Sequence, residues 1–506
     1  MSVKVKRRDF LKIAGASVGA AAVTSSLYSP TAMAHPALPT LNTPISAADR
    51  SKTWHLLNRI SFGPRPGQVE AVDQMGTDAF LAQQLNPAAI NDGATDQRLA
   101  KYNTLNMSAA EIHALKDAGG TYDQLVESTL IRGIYSERQL FEVMVLFWSE
   151  HFSILQGKSE CYILKTIDDR DVIRKNALGK FSDLLHASSK SPAMLNYLDQ
   201  DSSDKSHANE NYAREVMELH TLGVGNYTEK DIKELARCLT GWTWKYYDAK
   251  DGGGGEFFFN PGMHDDTAKT VLGLQIPAGG GIKDAETVLD MLAAHPATAK
   301  RISLKLCRRF IGDTPSDALV NQVATVFQQT GGDIPSLLKT IFASQDFWSA
   351  PPKYKRPHEY LLSVFRAFNI QALGNWGGLV YDVSILGQRP FGHPTPDGYS
   401  DISTAWTGAS LMDRWNRGIG YTWEKANNGG DEDLFKLAEK NGAPATADGV
   451  LNFYAMYMLG RALSAQEQSI IMDFVAKTGK ADLVAGRDSI VNAIALLATS
   501  PAFQYR

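Results

Sequence analysis

The sequence predicts a mainly α-helical protein, a large multi-helix domain with a minor insertion of short strands and loop. Three observations predict it. Apolar residues recur at helical spacing, as at Leu140, Val143, Met144, Phe147 and Trp148. Glycines and capping residues punctuate these stretches where helices would start and stop. Strand-like runs are short and confined to a glycine-rich region after residue 250.

The chain opens with Lys4, Lys6, Arg7 and Arg8, then a small apolar run from Ile13 to Val23, then Ala32-Met33-Ala34. Charged, apolar, small-x-small is the plan of a secretory leader. The paired arginines before Phe10-Leu11-Lys12 resemble the twin-arginine signature. The apolar run is about half the roughly 20 residues that a spanning helix needs. Residues 1–34 are therefore expected to be a cleaved signal peptide, with the twin-arginine translocase as partner and a periplasmic or secreted destination. The leader carries +4 and the whole chain −4, so the remainder carries about −8. With no basic block, nucleic acid is not an expected partner. No later run approaches 18 apolar residues, so no membrane span is expected in the mature form.

Residues 35–50 are proline-rich and read as extended. Residues 51–506 read as a single large helical domain, with a candidate sub-boundary near 250–283. Helical pattern starts at 51–57 and turns at 63–67, where Gly-Pro-Arg-Pro-Gly stands. It runs strongly over 122–152, then over 173–187 and 209–222, the last ended by Gly223. Thr228, with Asp231 three residues on, opens another helix toward Leu239. Four glycines at 252–255 make a loop. Residues 256–260 and 270–272 read as short strands. Helices return over 284–293, 296–310 and 316–347, the last broken at Gly331-Gly332. Residues 374–401 read as loop and 447–503 as helix.

Cys161, Cys238 and Cys307 are scattered and form no CxxC. That disfavours attached haem and a cysteine zinc site. They read as buried apolar residues, with one disulfide left open.

The densest polar cluster runs from Asn209 to Thr221. On a regular helix, Asn211, Arg214, Glu215 and Glu218 share a face. Glu215 and Glu218 suit acid/base or metal-binding work, while Asn211, Arg214 and Glu210 suit substrate positioning. The same face also reads as a solvated one braced by an Arg214–Glu218 pair. His151 ends a strongly apolar helix and reads either as a buried hydrogen-bonded residue or as a base or metal ligand. His264, followed by Asp265, reads as a ligand or base with its orienting carboxylate, or as part of an Asx turn. Trp242 would stack on a sugar if exposed. Arg170 and Arg174 frame a helix start and suit an anion. The turn from Pro394 to Tyr399 suits the wall of a cleft. His151, His264 and Glu215 are the expected ligands if a divalent metal is held. There is no GxSxG, HExxH, phosphate loop or dinucleotide glycine motif.

These motifs occur together in an order that resembles a known family. They include His55-Leu56-Leu57-Asn58-Arg59 with Ser61-Phe62-Gly63-Pro64, Trp148 to Phe152, and Ser191 to Leu195. The stretch from Asn209 to Gly223, Leu239 to Trp242, His264-Asp265, His295 to Ala299 and Ser344 to Trp348 follow. The chain resembles the bacterial domain-of-unknown-function family 1800 from about His55 onward. The resemblance implies an exported protein, encoded near a second uncharacterised exported family from which a partner would come. It implies no particular reaction. The leading expectation is an exported hydrolase acting on a glycan or other polymer through Glu215, Glu218, His151, His264 and Asp265. A metal-dependent oxidoreductase using the same residues and a non-catalytic secretion or envelope-assembly factor are the alternatives.

Overall fold

Capping side chains set the helix starts. Thr228 accepts from Asp231 N while Asp231 closes back on Thr228 N, a capping box opening Glu229–Leu239. Ser316 and Asp333 accept from Leu319 N and Ser336 N at the starts of Asp317–Thr330 and Ile334–Ala343. Between these two helices Gly331 takes φ +67° and Gly332 φ +78°, so the helical pattern of 316–347 breaks at the glycine pair. The computed structural model describes residues 51–247, 253–371, 376–408, 410–478 and 483–506. The leader and extended segment expected at 1–50 lie outside the described residues.

The architecture is mainly α, with two antiparallel hairpin ladders. Trp242–Trp244 pairs with Phe257–Phe259, and Lys269–Val271 with Leu274–Ile276. The expected strands at 256–260 and 270–272 thus find partners that adjoin them in sequence. A continuous apolar cluster runs from Leu56 to Phe503 and joins helices on both sides of the hairpins. Among the described residues, no helix is long and apolar enough to cross a membrane. Cys161, Cys238 and Cys307 are free and buried, which closes the question of a disulfide between them.

Four stretches differ from the sequence reading. The 122–152 pattern is two helices, Tyr122–Tyr135 and Gln139–His151. Gln139 Nε2 donates to the carbonyls of Gly133 and Ser136, ending the first helix with a side chain that belongs to the second. The 173–187 pattern divides at 179–180. There the backbone pairs with the Gly332 turn, through Phe181 N to Gly332 O and Ile334 N to Gly179 O. Upstream of this break, Asp168–Arg174 is a π-helix. The 209–222 stretch is α-helical only over Glu210–Glu215 and widens to a π-helix over Val216–Thr221. Thr221 Oγ1 donates to Val216 O, five residues back, and Gly223 N closes on Met217 O. The 374–401 stretch begins as a helix, Trp376–Ile385, because Leu379, Val380 and Val383 pack into the core.

Candidate functional site

His151 is placed by the helix that the sequence read most clearly. Leu140, Val143, Met144 and Trp148 bury one face of Gln139–His151, and the last turn carries Glu150 and His151 to its end. The ring of His151 lies among those of Trp148, Phe152, Phe181 and His220. Its Nε2 is 3.1 Å from the carbonyl oxygen of His220, in the π-helix Val216–Thr221. A carbonyl only accepts, so Nε2 holds the ring proton and Nδ1 presents its lone pair. Lys305 Nζ donates to that lone pair at 2.8 Å. Burial drives the His151 pKa well below its usual value, and the positive charge of Lys305 adds to the effect. The same cause leads for Lys305. Burial first, then repulsion from Arg301, bring its ammonium down to about 8, against the opposing pull of Asp401, Glu150 and Asp397.

This pair faces a cavity of about 230 Å³. Glu150, His151, Lys305 and Arg308 line one side, and Asp397, Tyr399 and Asp401 the other. The second wall is the turn around 394–399. Thr395 Oγ1 donates to Asp397 Oδ1, Tyr399 OH to Arg389 O, and Tyr197 OH to Pro394 O. Gly398, at φ +71°, lies so close to the Glu150 carbonyl that no side chain fits between them.

Behind the cavity lies a buried charge cluster. Arg356 pairs with Glu150 and lies 3.6 Å from Asp401. Glu359 takes Arg309 at 2.5 Å and both Arg356 and Arg506 at 3.4 Å. These guanidiniums hold the Glu359 carboxyl well below its usual range, Arg309 most strongly, although burial opposes them. Asp401 is held at about 2 by Lys353 and Arg356 against burial. Burial raises Glu150 in spite of Arg356, and Gln388 Nε2 donates to its other oxygen at 3.1 Å.

The residues expected from sequence are spread over several places. His151 lies at the cavity. Glu215 is partly buried, and its pKa is raised by burial, by Glu218 and by Asp397. Asp397, which lines the cavity, is thus within electrostatic reach of Glu215. Glu218 accepts from Tyr227 OH. Arg214 does not brace Glu218; it makes a bidentate pair with Glu229, both bonds 2.7 Å. The Glu229 capping turn brings that carboxylate within its reach. Glu210 and Asn211 are exposed.

Five expected site residues have structural partners instead. His264 is buried, with Nδ1 2.8 Å from Thr240 O and Nε2 3.2 Å from Asp284. Its carboxylate partner is Asp284, not the adjacent Asp265, because Asp265 turns toward Arg237 at 2.7 Å. Asp284 also receives Lys269 at 2.7 Å, so His264 belongs to an ion cluster sharing no partner with His151. Trp242 is fully buried against Phe257 and Lys190, and offers no face to a sugar. Arg174 is held by Glu142 and Asp169 at 3.0 and 2.7 Å, and Arg170 by Asp171 at 2.7 Å, which leaves neither as an open anion anchor. The ligand set His151, His264 and Glu215 is not assembled. Among the described residues, no group of three or more His, Cys, Asp or Glu is arranged to hold a metal ion.

Lys305, Arg308, Glu150 and Asp401 are cavity residues that the sequence reading passed over. One signal was present. The helix Pro296–Phe310 carries five Lys or Arg and no acid. Such a helix does not neutralise itself along its own face.

Fold and site together define a mainly α-helical protein with a mixed-charge cavity at a helix end. Residues 55–505 match the family described as "Protein of unknown function (DUF1800)", and the chain belongs to that family. No curated protein and no solved structure matches it.

Proposed function

We propose that the protein is an exported hydrolase, acting outside the cytoplasm on a glycan or other polymer, with Lys305 as its base. The pair of Lys305 and His151 carries this reading. An amine that loses its proton near pH 8 can take one from water at a useful rate, since an effective base has a pKa near the working pH. His151, kept neutral and fixed in one tautomer, accepts from Lys305 and positions it. Glu215, raised by burial and by its acidic neighbours, is the candidate proton donor to the leaving group. Asp397, on the cavity wall, acts electrostatically on both. The exported location rests on the twin-arginine-like leader.

The test is turnover of a panel of glycans and esters by the wild type, Lys305→Met and Glu215→Gln. General acid–base groups contribute about 10²- to 10⁴-fold, so each variant should lose rate on that scale. Full rate in Lys305→Met would remove the proposed base. Absence of turnover in the wild type, with Lys305→Met tolerated in the cell, would favour an assembly role.

A further inference from the structure

Three cations line up on one helix face, and two of them line the cavity. Arg301, Lys305 and Arg308 stand at positions i, i+4 and i+7 of Pro296–Phe310. Among the described residues none of the three has a carboxylate within ion-pair distance. Arg301 spends its guanidinium on the carbonyl of Leu219, at 3.2 and 3.3 Å. Lys305 donates to His151. Arg308 has its Nε shielded from solvent without a hydrogen-bond partner. Other arginines share that feature, and Arg308 is the one of them that lines this cavity. Lys305 and Arg308 both line the cavity.

The cavity's carboxylates do not cancel this charge. Glu150 is taken by Arg356 and Gln388. Asp401 lies 3.6 Å from Arg356 and 4.0 Å from Lys353. Asp397 is held within its own turn by Thr395, with His393 3.7 Å away, and its side chain is 62% exposed. These acids act on Lys305 from a distance, and Arg308 is left lining the cavity with no carboxylate within ion-pair distance among the described residues. At about 230 Å³ the cavity falls below the roughly 300–1,000 Å³ of pockets that enclose a whole drug-sized ligand. It admits one ring or one substituent of something larger.

We infer that the floor of this cavity, at Arg308, is an oxyanion subsite that receives a carboxylate or sulfate group carried by the polymer substrate. The inference rests on the hydrolase reading for the word substrate, but not for binding. Arg308 supplies a planar, charged donor set suited to an oxyanion, and leaves the amine of Lys305 to act as base beside it. A neutral sugar offers Arg308 hydroxyl acceptors but no countercharge, and charge-assisted bonds are the stronger ones.

The test is calorimetric binding to the full folded chain at pH 7 and low salt. Three probes of equal length are used: an oligogalacturonate, a sulfated oligosaccharide and a neutral oligosaccharide. At least one anionic probe should bind tenfold or more tightly than the neutral one, and which one does so identifies the group. Arg308→Gln should weaken that binding at least tenfold. Lys440→Gln, which removes a surface charge paired with Glu432, should leave it unchanged. Equal binding of all three probes, binding of none, or full affinity in Arg308→Gln would overturn the inference. Lys305-dependent cleavage of a neutral polymer with no preference for anions would sink the subsite and keep the hydrolase. Selective anion binding without turnover would do the reverse.

Discussion

Lys305 Nζ donates to His151 Nδ1 at 2.8 Å, while the other nitrogen of the same ring is tied to the His220 carbonyl. The two bonds fix a tautomer, and they join a helix end, a π-helix and the cation-bearing helix at one point. The groups facing Lys305 there are His151 and His220, Arg301, and the acids Glu150, Asp397 and Asp401.

In Glu215→Gln, whose acid no longer titrates, the residual rate should rise with pH and level off above about 8, as Lys305 loses its proton. Stability should follow the same group. Its folded pKa lies below its unfolded value, so between about 8 and 10.5 the unfolded chain binds more protons and stability rises with pH. Lys353 and Lys355 are lowered too, so the informative quantity is the difference between wild type and Lys305→Met. At pH 7 the variant should be the more stable by about 1–3 kcal/mol, a range that allows for screening in the open cavity. The difference should close by about pH 10.5. Urea titrations across this range measure it; a difference that does not change with pH would disprove the assignment.

Glu359 should be a stability residue. It is the carboxylate shared by Arg309, Arg356 and Arg506, all buried. Removing one partner from a buried ion cluster leaves uncompensated charge, at a cost of about 3–5 kcal/mol. Glu359→Gln should lose that much at pH 7 in urea denaturation. Because its folded pKa is depressed, the contribution is fully present above the unfolded value of 4.5 and is lost as pH falls through the folded one. The gap between wild type and variant should therefore narrow only below about pH 4.5. A gap under 1 kcal/mol at pH 7 would mean that the cluster is stabilised by other means.

Local rules carried the helices and their caps, because capping and amphipathic spacing act within a few residues. Thr228, Ser316 and Gly331 are where the sequence put them. His151 was marked for the same reason, as was the turn that became the cavity wall. Two kinds of feature were hidden. One is the π-helix at Val216–Thr221, which changes residue spacing so that a face drawn for a regular helix no longer holds; Arg214 and Glu218 then find different partners. The other is long-range pairing. Asp284 reaches His264 across 20 residues, Arg356 reaches Glu150 across 206, and Arg506 joins Glu359 from the far end of the chain. Neither charge pattern nor spacing along one helix encodes such choices.

The cysteines give a sharp chemical test. All three are buried and free, and burial pushes each thiol up to about 12. The native protein should show no thiol reactive toward a disulfide reagent at pH 8, and three after unfolding. Its melting temperature should be unchanged by dithiothreitol, since no bridge is present to reduce. Fewer than three thiols in the unfolded, unreduced protein would contradict the structure.

Gly398→Ala should disturb the cavity more than the chain. Two costs arise at this position. Alanine at φ +71° is strained, by about 1–2 kcal/mol for a left-handed L-residue. Its Cβ would also meet the Glu150 carbonyl oxygen at 2.1 Å, and backbone on backbone cannot give way by a rotamer change. The turn that carries Asp397 and Tyr399 must then move off Glu150, opening the cavity. Gly225 provides the control, because it takes φ +86° with nothing near its Cβ position. Gly225→Ala should bear only the conformational cost. Gly398→Ala should bear that and more, and with the wall displaced, water should reach Lys305 and raise its pKa above about 8. Titration of the Lys305 side chain by NMR in both variants separates the two effects. If the Lys305 midpoint stays at the wild-type value in Gly398→Ala, the turn does not wall the cavity as described.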